Sequence, residues 1–227
     1  MTEYDSDYID FEFERKFYVE PGTSFPSAAT ALILQGYLFI SHSCSVRTRL
    51  STDVENLELY SNIKTHEMST RQFSQLLEDA FTTATGTLTI KESGRGLAGI
   101  RYEKELYLST EMVHNLLIDI HSLDPKRIVS KVRHSFLMRA KQNTWAWEVD
   151  QFLGLNTPLI VAECENSEPL IDLTIPTFCT CEVTDDPRFT NAYLAEHPYT
   201  YWSQAWRNEI PFISDRFSED FGTNNFL

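Results

Sequence analysis

Residues 11–19 of the chain read Phe11-Glu12-Phe13-Glu14-Arg15-Lys16-Phe17-Tyr18-Val19. Successive side chains of a β-strand point to opposite faces. In a strand, Glu12, Glu14 and Lys16 therefore share one face, and the other face is apolar apart from Arg15. A charged strand face is ordinary if it meets solvent. If it is enclosed, its charges must be paired or must hold a metal ion.

The same spacing of charged residues, two apart, recurs along the chain. The sets are Arg47 and Arg49; Arg101, Glu103 and Glu105; Lys131 and Arg133; Glu148 and Asp150; and Glu163 and Glu165, with Lys91 at the end of a further apolar run. One such pair would indicate only a solvated strand face. Pairs of both signs on most of the predicted strands favour polar faces that turn inward, and such strands close naturally into a barrel with a charged interior.

The composition limits the possible partners. The net charge is −14, from 19 Lys and Arg against 33 Asp and Glu. This excess of negative charge argues against nucleic acid or an anionic membrane as a general partner. Seven basic residues nevertheless fall on the charged strand faces: Lys16, Arg47, Arg49, Lys91, Arg101, Lys131 and Arg133. An acidic protein that gathers its cations on one internal surface is expected to bind a compact anion there.

Chain length and cysteine content indicate the number of domains and the cellular compartment. A chain of 227 residues can form one domain with a good core. The four cysteines show neither a C-x-x-C motif nor zinc-site spacing. No apolar run approaches the length of a membrane span. We therefore expect a cytoplasmic protein with reduced thiols.

The motifs, taken in order, resemble those of the CYTH, or triphosphate tunnel metalloenzyme, superfamily. They are E-x-E-x-K at 12–16, Q-G-Y-L at 35–38, R-x-R at 47–49, L-T-I-K at 88–91, R-x-E-x-E at 101–105, K-x-R at 131–133, E-V-D-x-F at 148–152, A-E-x-E at 162–165 and the closing E-V-T at 182–184, followed by Pro187-Arg188-Phe189 and Asn191. Each motif alone is weak, but together they keep the family's order from about Phe11 to Leu194.

The resemblance implies a mainly antiparallel α+β fold. Its centre would be a closed or nearly closed eight-stranded tunnel barrel with helices packed outside. Residues 1–227 would form a single tunnel domain with its core at 11–195, a helical insertion at about 52–86 and a C-terminal extension at 196–227.

The insertion departs from the family, in which the R-x-R and L-T-I-K strands usually lie closer together. Ser69 and Gln72 form a capping box. A helical stripe follows, made of Phe73, Leu76, Leu77, Ala80 and Phe81. The helix would pack on the outside of the barrel, or it would cover one mouth as a lid, and the first interpretation is favoured. Earlier in the chain, Pro26 and Ser27 predict a short helix that reaches Leu34.

Charge arithmetic indicates what the enclosed face would bind. Arg and Lys clamp phosphate oxygens, whereas carboxylates fit beside a polyphosphate only if they hold a hard divalent cation that bridges to it. By resemblance, the metal ligands are Glu12, Glu14, Glu163 and Glu165, and the cation is Mg²⁺ or Mn²⁺. The substrate-binding set is Lys16, Arg47, Arg49, Lys91, Arg101, Lys131 and Arg133, and the supporting acids are Glu103, Glu105, Glu148 and Asp150.

The activity implied by the resemblance is metal-dependent hydrolysis of a triphosphate-containing small molecule. Inorganic tripolyphosphate, cleaved to phosphate and pyrophosphate, is the expected substrate, and thiamine triphosphate is a variant. The candidate catalytic residues are Lys16, Lys91 and Arg49. The group that activates the attacking water stays open between Lys16 and a hydroxide on the metal.

Two other functions remain open from the sequence. A class IV adenylate cyclase would convert ATP to cyclic AMP and pyrophosphate, and would need an adenosine pocket beside the tunnel. A non-catalytic module would bind nucleotide or polyphosphate without turnover. For all three functions we expect no nucleic-acid or membrane partner, and a monomer or homodimer.

Overall fold

A computed structural model describes residues 10–92, 100–140, 143–213 and 216–227, and within these ranges every side chain except those of residues 10–12, 57, 92 and 100–102. The strands are β1 (Asp10–Val19), β2 (Ala29–Ile40), β3 (Cys44–Asp53), β4 (Thr85–Glu92), β5 (Ile100–Leu108), β6 (Ile128–Ala140), β7 (Asn143–Phe152), β8 (Ile160–Asn166), β9 (Thr174–Ile175), β10 (Cys179–Glu182) and β11 (Asn225–Phe226). The helices are α1 (Thr70–Ala80), α2 (Thr110–Leu123), α3 (Asn191–Glu196) and α4 (Ser203–Glu209). The fold is therefore α+β, as predicted. No helix in the described ranges has both the length and the apolar character needed to cross a membrane.

The main sheet is antiparallel and has the strand order β10-β1-β5-β4-β3-β2-β6-β7-β8, with a further pairing between β1 and β8. Strand β1 pairs with β5 at residues 10–13, with β8 at 13–18 and with β10 at 17–19. The described part of this sheet has nine strands, and our prediction of an eight-stranded barrel is wrong on this point. The ninth strand is β10, a short segment that extends the sheet at the end of β1.

The register places the predicted charged residues on one face of the sheet. Residues directly opposite each other in an antiparallel pair point to the same face. Following these pairs from strand to strand gives a common inner face made of Glu14, Lys16, Arg47, Arg49, Lys91, Glu103, Glu105, Lys131, Arg133, Glu148, Asp150, Glu163 and Glu165. Glu12 and Arg101 are paired in the backbone of β1 and β5, but their side chains lie outside the described residues.

Residues 29–34 form strand rather than the helix predicted after Pro26. Strand β2 pairs with β3 on one edge and with β6 on the other. Leu32 and Leu34 are fully buried on the outer face, whereas Gln35 is fully buried on the inner face. Two neighbouring strands thus satisfy the backbone of this segment, and tertiary pairing overrides its local helical preference.

Helix α1, from the insertion, packs on the outer face of the sheet. Its capping box is present as predicted, with Ser69 and Gln72 exchanging hydrogen bonds. The buried side chains of α1 and α2 join those of β2 and β3 in one cluster, which includes Leu34, Leu50, Phe73, Leu77, Val113 and Leu117. This placement supports the interpretation of α1 as outer packing. Gly36 on β2 makes the close approach of α2 possible, since a Cβ there would lie 2.8 Å from carbons of Leu117 and Ile120.

Helices α3 and α4 pack against one end of the inner face, whereas the C-terminal segment packs on the outer face. One cluster joins Tyr18 of β1 to Phe189, Leu194 and Trp206. Another packs Phe17 of β1 with residues of β7, β8, β9 and β10. Residues 202–227, which carry no family motif, therefore contribute to the core through Trp206 and Phe217.

Leu77→Ala should lower the free energy of unfolding by about 2–5 kcal/mol, because truncation of a fully buried leucine leaves a cavity. Urea unfolding followed by circular dichroism measures the change. Leu59→Ala is the matched control in the same insertion, and this exposed residue should alter stability by about 0.5 kcal/mol or less. Equal stability of the two variants would contradict the assignment of α1 to the outer core.

Candidate functional site

Three carboxylates meet where β1 pairs with β8. Glu14 lies opposite Glu165, and one oxygen of each of Glu14, Glu163 and Glu165 lies within 4.8 Å of the others. Glu14 and Glu163 are buried, whereas Glu165 is exposed to solvent. Three of the four predicted metal ligands are thus brought together. The fourth, Glu12, is on the same strand, but its side chain is outside the described residues.

Lys16 lies among these carboxylates. It is directly opposite Glu163 in the β1–β8 pair, and its ammonium donates to Oε1 of Glu163 at 2.5 Å. The same ammonium forms an ion pair with Glu14. Lys16 is itself buried, so in the free protein it offsets the negative charge of the group.

The carboxylates of this group differ in their ionisation. Burial would raise the pKa of Glu163, but Lys16, Lys131 and Arg133 hold it well below its usual range. Although Glu165 keeps contact with solvent, desolvation of its carboxylate and the like charges of Glu14 and Glu163 raise its pKa. A divalent cation among the three would relieve this repulsion.

A second charged cluster lies on β6 and β7. Arg133 donates two hydrogen bonds to Asp150, at 2.7 and 2.8 Å, and contacts Glu148 and, at 3.3 Å, Glu163. Lys131 forms an ion pair with Asp150, and both side chains are completely buried. Arg133 therefore links the two clusters through Glu163.

Burial and neighbouring charges shift the pKa values of the residues in this second cluster. Burial, together with Arg133, lowers the pKa of Lys131 to about 8 despite the nearby Asp150. Burial alone would raise the pKa of Asp150, but Arg133 and Lys131 lower it. Burial likewise acts against the charge of Arg133, yet Asp150, Glu148 and Glu163 raise its pKa.

A third cluster lies on β3, β4 and β5. The carboxylate of Glu103 pairs with Arg47, at 3.3 Å, and with Lys91. Burial lowers the pKa of Lys91, and the positive charge of Arg47 lowers it further. Glu105, exposed at its strand position, accepts a hydrogen bond of 3.1 Å from Thr89.

Arg49 differs from the other cations of the inner face. Within the described residues it forms no ion pair, and its Nε is buried without a hydrogen-bond partner. Burial, Arg47 and Arg133 lower its pKa to about 10. Arg49 and Thr87, its opposite residue on β4, line a cavity of about 410 Å³. A guanidinium in this position can accept an anion without first breaking an ion pair.

Sequence reasoning missed several uncharged residues of the inner face. Gln35 and Tyr37 are buried beside Arg49 and Arg47, and Gln35 Nε2 lies 3.4 Å from the Tyr37 hydroxyl. Thr87 and Thr89 are also buried on this face. The alternation that ends at Lys91 already places residues 87 and 89 on the same side, so extending the period from charged to polar residues would have found them.

The known proteins that resemble this chain include inorganic triphosphatases. No protein-family model matches the chain. An inorganic triphosphatase from Acetivibrio thermocellus is 29% identical over 189 residues, which cover 83% of this chain and 95% of the relative. Among solved structures, the inorganic triphosphatase NE1496 has a TM-score of 0.47 and 23% identity over 81% of this chain and 93% of its own. A putative adenylyl cyclase from Hippeastrum, described as having a dominant triphosphatase activity, has a TM-score of 0.37 and 11% identity over 70% and 80% of the two chains. The sequence relative, which spans most of both chains, confirms the resemblance that the motifs indicate.

Asp150→Asn should cost about 3–5 kcal/mol of unfolding free energy at pH 7 without metal, because Lys131 and Arg133 lose a buried counter-charge. Since the pKa of Asp150 is lowered by folding, its contribution is fully present above the ordinary Asp pKa of about 4 and disappears as the pH falls through the lowered value. Urea unfolding of both proteins from pH 7 to pH 2 measures this convergence.

The control for this experiment is Asp119→Asn, on the exposed face of α2. It should leave stability nearly unchanged at every pH. A difference between Asp150→Asn and the native protein that stays constant down to pH 2 would contradict the ion-pair account.

Proposed function

We propose that the protein is a metal-dependent triphosphatase that hydrolyses inorganic tripolyphosphate to phosphate and pyrophosphate. The observation that carries this proposal is one inner sheet face on which three close carboxylates lie beside buried arginines and lysines. The relative from Acetivibrio thermocellus, named as an inorganic triphosphatase, supports it independently.

In this proposal the inner face is a tunnel for the triphosphate. The pairing of β1 with β8 would bring the carboxylates of those strands opposite the cations of β3, β4 and β6. Arginine binds phosphate oxygens bidentately, and buried cations do so with little screening by water. We assign substrate binding to Lys16, Arg47, Arg49, Lys91, Lys131 and Arg133, with Arg101 included from the resemblance.

The carboxylates fit a hard divalent cation. Glu14, Glu163 and Glu165 offer oxygen ligands only, as Mg²⁺ and Mn²⁺ prefer. Desolvation, followed by the like charges of Glu14 and Glu163, raises the pKa of Glu165, and a bound cation would oppose both effects. Glu12 would complete the set. When bound, the cation would offset charge on the phosphoryl group under attack.

Substrate and metal would exchange partners with the existing ion pairs. Glu163 is paired with Lys16 and Arg133 in the free protein. A triphosphate that takes the two cations would release Glu163 for the metal, and a metal that takes Glu163 would release the cations for the triphosphate. Each therefore favours binding of the other, and the local charge balance is kept throughout.

The chain's own residues would position the substrate and stabilise charge during phosphoryl transfer. Arg49 and Lys91, on adjacent strands, would hold phosphoryl oxygens from one side. Lys16, between Glu14 and Glu163, would hold the reacting group from the other and orient the water for in-line attack. The supporting acids Glu103, Glu148 and Asp150 fix the cations of the tunnel.

The purified protein should convert tripolyphosphate with Mg²⁺ or Mn²⁺ to equal amounts of phosphate and pyrophosphate. Phosphorus NMR of parallel reactions with tripolyphosphate, ATP, thiamine triphosphate and pyrophosphate identifies products and substrate range. Chelator should stop the reaction, and restored metal should restart it. Cyclic AMP and pyrophosphate from ATP would establish a cyclase instead, and tight binding without turnover of any of the four would establish a binding module.

Glu14→Gln should weaken Mn²⁺ binding by about tenfold or more, since it removes charge at one proposed ligand but keeps the shape of the side chain. Titration calorimetry of the substrate-free protein measures this affinity. Turnover at low metal should fall in parallel, and excess Mn²⁺ should restore part of it. Tripolyphosphate binding in chelator should not weaken, because a repelling carboxylate has been neutralised.

Glu111→Gln, exposed in the first turn of α2, is the matched control and should keep native metal affinity. Normal turnover of Glu14→Gln at low Mn²⁺ would exclude Glu14 as a ligand while leaving triphosphate hydrolysis possible.

A further inference from the structure

The closing motif Glu182-Val183-Thr184 lies beside Lys16, although the proposed mechanism gives it no role. Strand β10 pairs with the end of β1. Beyond this pair, Val183 N donates to the Lys16 carbonyl at 2.8 Å, and Lys16 N donates to Thr184 Oγ1 at 3.1 Å. Both backbone polar groups of Lys16 are therefore held by the motif.

Thr184 connects Lys16 to a buried carboxylate. Its hydroxyl accepts from Lys16 N and donates to Glu182 Oε1 at 2.7 Å. Glu182 in turn receives a bidentate pair of hydrogen bonds from Arg15, at 2.9 and 2.6 Å, and one from Ser218 N at 2.8 Å. One hydroxyl thus joins the backbone of the inner-face lysine to an ion pair on the outer face.

The C-terminal segment 216–226 covers this ion pair. Arg15 donates a further hydrogen bond of 3.1 Å to Asn224 Oδ1, and its guanidinium lies over the ring of Phe221. Asn224 also donates to the carbonyl of Ser218 at 2.9 Å. The side chains of Arg15 and Glu182 are only 1% and 6% exposed. Because a buried charge is tolerated only where it is paired, this segment and the ion pair hold each other in place.

Arg15 also fixes the direction of its two neighbours. In a strand, a side chain held on one face places the residues before and after it on the other. Anchoring Arg15 outside therefore directs Glu14 and Lys16 inward, and the Thr184 hydrogen bond sets the backbone of Lys16 along the strand direction.

We propose that Thr184 and Glu182 are positioning residues that set the Lys16 ammonium between Glu14 and Glu163, and that segment 216–226 completes this support from outside. The inference rests on the proposed function, since it concerns the residues assigned there to the metal and the reacting phosphoryl group. Neither Thr184 nor Glu182 contacts substrate in this account. They act through the backbone of β1, which carries the proposed metal ligand Glu14 as well as Lys16. Loss of this support would misplace both side chains, and the misplaced Glu14 would weaken metal binding.

Thr184→Val is the main test, because valine keeps the shape but can neither accept from Lys16 N nor donate to Glu182. We expect Mn²⁺ affinity of the substrate-free protein, measured by calorimetry, to fall about tenfold, as for other groups that orient a metal ligand. With tripolyphosphate, kcat should fall by a similar factor while KM changes less. Thr184→Ser keeps the hydroxyl and should recover most of both losses.

Thr190→Val is the matched control. Thr190 is the N-cap of α3, so its loss reduces stability without touching Lys16. Both valine variants should show lower thermal midpoints, but only Thr184→Val should lose metal affinity. If Thr184→Val does not fold, Asn224→Ala replaces it. This variant removes one hydrogen bond from Arg15, which keeps its other partners. It should therefore weaken Mn²⁺ binding by only about two- to threefold.

The outcomes separate this inference from the proposed function. Native Mn²⁺ affinity and native kcat in a folded Thr184→Val, or losses equal to those of Thr190→Val, would overturn the positioning role while triphosphate hydrolysis stands. A native protein that binds Mn²⁺ but hydrolyses no triphosphate would overturn the proposed function, and a selective loss of Mn²⁺ affinity in Thr184→Val would still support the positioning of the carboxylate group.

Discussion

A charge enclosed by a sheet has to be neutralised where it lies, and this constraint governs the inner face of the protein. Lys131 and Asp150 have no exposed side-chain surface and form an ion pair with each other. Lys16 and Glu163, directly opposite on β1 and β8, are also buried and form an ion pair with each other. Arg47 and Lys91 share the carboxylate of Glu103 in the same way. An isolated buried ion would cost several kcal/mol. The excess negative charge of the chain is therefore carried elsewhere.

This internal balance also prepares the site for two ligands of opposite sign. Glu163, which pairs with both Lys16 and Arg133, could bind a metal, and the same two cations could bind phosphate. A polyanion and a divalent cation arriving together would replace the ion pairs without leaving a charge unpaired. Arg49 is the exception within the described residues, because no carboxylate is in ion-pair contact with it, and burial has already lowered its pKa to about 10. It is the cation best placed to receive an anion first.

The sequence alone predicted the features that depend on short-range patterns, namely side-chain alternation along a strand and the start of a helix. Alternation around Glu14 and Lys16 placed them on one face, and the capping box at Ser69 located α1, because both signals lie within a few residues of chain. Prediction from the sequence failed where the secondary structure of a segment depends on the strands that pair with it. Residues 29–34 became strand through pairing with β3 and β6, and β10 is only four residues long, too short for a period to stand out. Which acid meets which base followed from register between strands, which no local pattern contains.

The outer face of β1 explains why that register is held. Arg15 interrupts an apolar face, and a strand with only apolar residues there would pack with less penalty for misplacement. A shift of one residue would send Arg15 inward and Lys16 and Glu14 outward, into the apolar layer. It would also strip Glu182 of its bidentate partner and leave two buried charges unpaired. Arg15 therefore makes a one-residue shift of β1 more costly than an apolar residue at this position would. By fixing the register from the outer face, it keeps Glu14 and Lys16 on the inner face.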